Sequence, residues 1–252
     1  MTTRKQALTA LYALQDAAKV AEVAAYHKVD RVYLGIPVPK VEELTNAWRA
    51  SCTLDERMDL AADLWASNIH EARVAAAKLL TQARMRPDDS RAWELIQSWV
   101  PEFDAWAIAD HVCIAGQKRL VADPSRLDAL EAWTTSELMW ARRAVLVMTL
   151  PWTKMNFPKE ADLAIRERVL DWAASYVGDK DWFMQKVVAW WIRDLSKHDA
   201  ARAQGFLNEH GPYMKSWSRK EAAKYLTPDE VDTGVEAELQ DQPHDQTPTQ
   251  SE

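Results

Sequence analysis

The sequence predicts an all-α protein, a solenoid of stacked antiparallel helix pairs, and three observations carry that prediction. Apolar residues recur at helical rather than alternating spacing along most of the chain. Only 6 of the 252 residues are glycine, too few for the frequent tight turns of a sandwich or barrel. No run of β-branched residues bounded by turn signals occurs, which argues against a sheet.

Each element has its own justification. Leu8, Leu11, Tyr12, Leu14 and Ala18 form one stripe, so residues 1–25 read as a first amphipathic helix. Leu54, Met58, Ala61, Ala62 and Trp65 line a second helix, opened by the capping box Thr53-Leu-Asp-Glu56. Further helices are expected at 68–85, 88–100, 104–121, 125–134, 136–150, 159–175, 182–197, 199–209 and 218–226. Asp123 before Pro124 reads as an N-cap ahead of a proline in the first turn, and Ser218-Arg-Lys-Glu221 as another capping box. Pro87, Pro101, Pro151 and Pro158 fall between or at the edges of the periodic runs, where a missing amide does least harm. Helix pairs recurring at roughly 35–45 residues suit a HEAT-like α-solenoid with a concave face, and a compact bundle is the alternative. The solenoid domain is expected over residues 1–228 and an acidic, disordered tail over 229–252.

Composition narrows the function. With 48% hydrophobic residues and 13 Trp the chain can build a packed core, which excludes bulk disorder. Cys52 and Cys113 cannot form a disulfide framework or a four-cysteine zinc site and read as reduced thiols. No apolar stretch approaches the ~18 residues of a membrane span. Gln15, Asp16, Lys19 and Glu22 interrupt any signal-peptide core. A cytoplasmic monomer with no membrane partner is expected. The net charge of −7 is unevenly distributed: residues 229–252 carry eight acidic side chains and no Lys or Arg, whereas 142–228 carry 15 basic and 10 acidic ones. Nucleic-acid binding therefore stays open.

No phosphate-binding glycine loop or dinucleotide fingerprint occurs. His70-Glu71 lacks the second histidine of a zincin, and Asp110 and His111, adjacent in a helix, face different ways, so no metal site is expected. The tryptophans stand out. An indole normally packs in the core, but Trp106 and Asp110 stand at i and i+4, on one helical face. The segment Trp140-Ala-Arg142-Arg143 puts arginines into an otherwise apolar helix, and Trp182 to Arg193 combines indoles with Lys186 and Arg193. On the residues alone, Trp106, Asp110 and Arg143 read first as an interior ion pair ringed by indoles in a protein-binding scaffold.

These three segments, with Tyr26, the block Tyr33-Leu-Gly-Ile-Pro-Val-Pro39 and the closing Trp217-Ser-Arg-Lys-Glu221, resemble the AlkD-type DNA alkylation repair glycosylases over about residues 20–226. The resemblance implies excision of cationic alkylated purines, of the 3-methyladenine and 7-methylguanine type, from duplex DNA in base excision repair. No cofactor is implied, and the protein would be nucleoid-associated when bound. By matching position it implies Asp110, Trp106 and Trp190 as catalytic residues and Arg143 and Arg193 as phosphate-binding. Tyr26 and Lys186 would lie on the DNA face. Pro37 stands where some relatives have a polar residue. The alternative is a non-catalytic HEAT-repeat scaffold that binds a protein partner or distorted DNA.

The implied chemistry follows from elementary considerations. A base alkylated at a ring nitrogen leaves as a neutral molecule, so one carboxylate suffices where ordinary glycoside hydrolysis needs an added general acid. That carboxylate would stabilise the developing sugar cation or orient water, while indole faces flank the sugar.

Overall fold

The structure, a computed structural model, describes residues 2–226, which contain thirteen α-helices and no strand. In order these are α1 (Arg4–Ala13), α2 (Ala17–His27), α3 (Val38–Ser51), α4 (Leu54–Ala66), α5 (His70–Leu80), α6 (Ser90–Trp99) and α7 (Trp106–Ala122). They continue as α8 (Leu127–Thr134), α9 (Met139–Met148), α10 (Glu160–Tyr176), α11 (Trp182–Ser196), α12 (Ala200–His210) and α13 (Ser216–Ala222). Short 3-10 turns at Val100–Glu102, Pro124–Arg126, Leu150–Lys154 and Gly211–Tyr213 each have a proline in their first two positions. A fixed φ and an absent N–H fit that place in a turn.

Packing arranges these helices as a HEAT-like α-solenoid. Helices α5, α7, α9, α11 and α13 lie side by side in one layer, each against the next. Helices α4, α6, α8 and α10 back onto α5, α7, α9 and α11 respectively, and α12 also packs on α11. One continuous apolar cluster runs between the layers from Ala7 to Leu226. Seven of the 13 indoles (Trp48, Trp65, Trp93, Trp99, Trp152, Trp172 and Trp191) are buried, so core packing accounts for them. Trp106 and Trp190 are among the half-buried remainder.

Ion pairs repeat between successive units. On the outer layer Arg91 of α6 meets Asp59 of α4, Arg168 of α10 meets Glu131 of α8 at 2.7 Å, and Arg202 of α12 meets Glu167 of α10 at 2.7 Å. Buried Arg119 bonds Asp89 at 2.6 Å and the carbonyls of Gln82 and Ala83, tying the end of α7 to the loop before α6.

Four sequence expectations need correction or completion. The first helix is two helices, because Asp16 turns the chain: its N–H donates to the Leu34 carbonyl at 2.9 Å and its carboxylate caps α2 at Ala18 N–H, 3.1 Å. Helix α3 lies in a stretch with no helix expected; its buried stripe is only Val41, Thr45 and Trp48, too thin to read against Pro37 and Pro39. The box at Ser218 does not form. Lys215 is the N-cap of α13, and the buried Ser218 hydroxyl donates to the Gln185 carbonyl at 2.9 Å. The helix expected over 68–85 ends at Leu80. By contrast, the Thr53–Glu56 box forms as expected, and Asp123 caps the turn that begins at Pro124. The acidic stretch 229–252 lies outside the described residues.

Candidate active site

The site begins where three helices of the inner layer present polar side chains at similar height. Trp106 is the first residue of α7 and Asp110 sits one turn later. Arg143, five residues into α9, reaches across to the same level. Its Nη1 bonds Asp110 Oδ1, and its Nη2 donates to Asp110 Oδ2 at 3.1 Å, a two-point grip on the carboxylate. The Asp110 side chain is 22% exposed and that of Arg143 only 6%. The guanidinium therefore stands behind the carboxylate, which keeps its outer edge in solvent. Trp140 lies 5.7 Å from Arg143 Cζ, ring toward cation.

This placement revises one expectation. Arg143 reads from the sequence as a phosphate ligand, but it is buried with both terminal nitrogens on Asp110. It positions the acid. The neighbouring Arg142 is likewise engaged, donating to the Ser136 carbonyl at 2.7 Å and to Asp179 at 3.1 Å. His111 does face away from Asp110: it lies near Lys78 and Glu42, and burial lowers its pKa to about 4.

A cluster of rings supports Trp106. Tyr26 meets its indole edge-on at 5.9 Å between centroids, and His27 tilts against it at 5.8 Å. His27 in turn stacks on His70 at 4.4 Å and on Tyr33 at 5.8 Å. Burial drives the His70 pKa down to about 3, and burial with nearby Arg31 lowers that of His27, so neutral rings fill this corner at neutral pH. The bracket holding α2 here is Glu71, whose buried carboxylate accepts from the N–H groups of Leu34 (2.9 Å), Gly35 (2.8 Å) and Ile36 (3.2 Å). Gly35 has φ +72°, and a Cβ there would come within 2.6 Å of the Asp16 carbonyl. The Tyr33–Pro39 block thus has a structural role that brings Tyr26 to Trp106.

Trp190 lies on α11, next to α9 in the same layer, and its Nε1 donates to Asp194 Oδ2 at 3.1 Å. Asp194 is buried and surrounded by cations, with Lys197 at 3.1 Å, Arg193 at 3.8 Å and Lys154 at 3.9 Å. Among the described residues no hydrogen bond or ring contact joins Trp190 to Trp106 or Asp110. The two indoles therefore do not touch. Arg193 and Lys186 both lean on Glu221, Arg193 by a direct bond and Lys186 at 3.8 Å. Lys186 also sits 5.9 Å over Trp182, which stacks on Trp217 at 5.7 Å. Neither cation is free of protein partners. Among the described residues no group of three potential ligands could hold a metal ion.

Sequence reasoning missed Glu71, the His27–His70 stack and Asp194. Only the adjacency of Tyr26 to His27, and of His70 to Glu71, gave any signal of them.

The profile of the family described as DNA alkylation repair enzyme matches residues 7–226. The chain belongs to that family. Membership in the DNA alkylation repair enzyme family assigns it a role in the repair of alkylation damage, and Tyr26, Trp106, Asp110, Arg143, Lys186, Trp190 and Arg193 all lie in the matched span. Among solved structures, the chain is similar to one from Enterococcus faecalis described as a predicted DNA alkylation repair enzyme. That match has a TM-score of 0.72 at 18% identity and covers 85% of this chain and 97% of the other. It is also similar to AlkD2 from Streptococcus mutans, with a TM-score of 0.57 at 16% identity over 83% and 98% of the two chains. At these identities the likeness speaks to the fold, an AlkD-type helical repeat. No curated protein matches the chain in sequence.

Proposed function

We propose that this protein is a monofunctional DNA glycosylase that hydrolyses the N-glycosidic bond of cationic alkylated purines in duplex DNA. The observation that carries the reading is the Asp110 carboxylate, gripped from behind by Arg143 with its outer edge exposed. Each carboxylate oxygen uses one lone pair on the guanidinium and keeps another for a water. As the bond between C1′ and the base nitrogen lengthens, its electron pair goes to the cationic base, which leaves neutral. The sugar carbon becomes electron-poor, and Asp110 stabilises it and orients the water that adds there. The water's proton passes to solvent through the carboxylate. Trp106, held by Tyr26 and His27, offers its π face to the developing cation and limits water access.

A second reading has its own support. The Asp110–Arg143 pair is also what a non-catalytic scaffold binding a protein or distorted DNA would contain as a structural ion pair. The exposure of the carboxylate favours the enzyme, since a purely structural acid gains nothing from facing solvent.

The test is incubation of the full chain with duplex DNA containing 7-methylguanine, measuring the free base and the abasic sites left behind. Equal yields of both are expected. DNA binding without base release would leave the scaffold reading.

A further inference from the structure

The most exposed large apolar side chain among those described lies away from Asp110. Phe157, 96% exposed, projects from the loop between the turn Leu150–Lys154 and α10. Isolated exposed apolar residues are common and by themselves mean little. Here the loop beneath the ring is tightly braced. Buried Arg166 spends all three of its nitrogens at the loop base, donating to the Trp152 carbonyl at 2.7 Å, the Met155 carbonyl at 2.7 Å and Asp199 at 3.2 Å. Asn156 Oδ1 and His198 Nδ1 meet at 2.6 Å. Pro158 restricts the backbone of Phe157 from the other side. A fully solvated aromatic ring on a rigid support has little to gain within the monomer.

Its surroundings are cationic and aromatic. Lys154, 59% exposed, and Lys197, 41% exposed, both approach Asp194, so that buried acid is outnumbered by its lysines and Arg193. The Lys197 ammonium also lies 4.8 Å from the ring of exposed Tyr225, with Lys224 at 5.6 Å on the same ring. The patch is continuous with the candidate active site, because the Asp194 that gathers these lysines also accepts the indole N–H of Trp190.

We propose that Phe157 is a wedge that inserts between adjacent base pairs of the bound duplex, with Lys154 and Lys197 on the flanking phosphates. The inference rests on the reading that this chain binds duplex DNA, and it deepens that reading by naming a second contact. An apolar ring entering a base step must unstack it, and it recovers that cost through stacking on the bases and through the contacts that a bent duplex allows. The lysines supply attraction that does not depend on sequence. The separation of the two regions fits their chemistry: opening a neighbouring step gives the lesion nucleotide freedom to present its sugar to Asp110, with no base pocket required.

The experiment uses the full chain, a duplex containing 7-methylguanine, and the same duplex with 2-aminopurine at successive steps on either side of the lesion. Wild-type protein is expected to raise 2-aminopurine fluorescence at one step. Phe157→Ala is expected to abolish that rise and weaken binding about tenfold, with an unchanged Tm because the ring buries almost nothing. Lys154→Gln is expected to keep the rise while lowering the slope of log K against log salt by about 1. Phe157→Ala binding within twofold of wild type, with the fluorescence rise intact, overturns the wedge and leaves the glycosylase reading standing if wild type still releases base. A wild type that unstacks the step without releasing base supports the wedge and removes the glycosylase. A wild type that does not bind duplex DNA overturns both.

Discussion

Arg143 closes on Asp110 through two nitrogens from a helix 33 residues further along the chain, so the candidate catalytic acid is fixed by the register between α7 and α9. An arginine fork offers two parallel bonds where an ammonium offers a single point of charge. The carboxylate is thereby limited to one orientation.

Replacing the fork while keeping the charge tests that dependence. Arg143→Lys should lower single-turnover base release by about 10- to 100-fold, because a misaligned carboxylate loses orientation rather than charge. DNA affinity should change little, since Arg143 is buried. An unchanged release rate would show that Asp110 needs no such alignment.

Glu71 should matter to stability more than any exposed acid. Its buried carboxylate satisfies three backbone N–H groups, and Glu71→Gln turns an amide N–H₂ toward at least one of these donors. A loss of about 2–4 kcal/mol is expected in urea denaturation. Base release should fall with it, because the same bracket sets Tyr26 against Trp106. A loss below about 1 kcal/mol would mean that water replaces the carboxylate.

Acid should destabilise the fold through His70. Its folded pKa is pushed down to about 3, below the unfolded value near 6.5, so under acid the unfolded chain binds a proton that the native chain refuses. This contribution is constant above about pH 6.5 and is lost as pH falls from there toward the folded value, at up to about 1.4 kcal/mol per pH unit. His27, lowered in the same direction, adds to the slope. Urea midpoints between pH 7.5 and 4.5 should fall in wild type and flatten in His70→Phe. Parallel curves would place the sensitivity elsewhere.

Two arginines two residues apart on α10 should behave in opposite ways. Arg168 makes two ion pairs on the outer face, to Asp128 at 2.8 Å and Glu131 at 2.7 Å, where solvent screens them. Arg168→Ala should cost less than about 1 kcal/mol. Arg166 is buried with three bonds, and Arg166→Ala leaves two carbonyls and Asp199 without their donor, which should cost about 3–5 kcal/mol. Comparable losses, read as urea midpoints, would contradict this ranking.

The contrast between these residues shows what the sequence could disclose. Helices such as α4 and α11 were legible because one apolar stripe recurs at helical spacing. Asp16 was not, because the stripe through Leu14 and Ala18 continues across the turn it makes, and the bond to Leu34 that fixes the turn is non-local. Trp106 and Asp110 shared a face by spacing alone. The Arg143 contact depends on how two helices are staggered, which no periodicity within one helix encodes, and so its role read as phosphate binding. Trp190 suffers the same limit: its spacing suggested a partner for Trp106, whereas its hydrogen bond goes one turn along its own helix to Asp194.

The account stands on Asp110 as the acting group, and one measurement tests it most directly. Release of free 7-methylguanine from duplex DNA should fall by at least about 100-fold in Asp110→Asn relative to wild type, with DNA affinity and the unfolding midpoint kept close to wild type. Release at the wild-type rate by the Asn variant would remove Asp110 from the chemistry and return the Arg143 pair to a purely structural part.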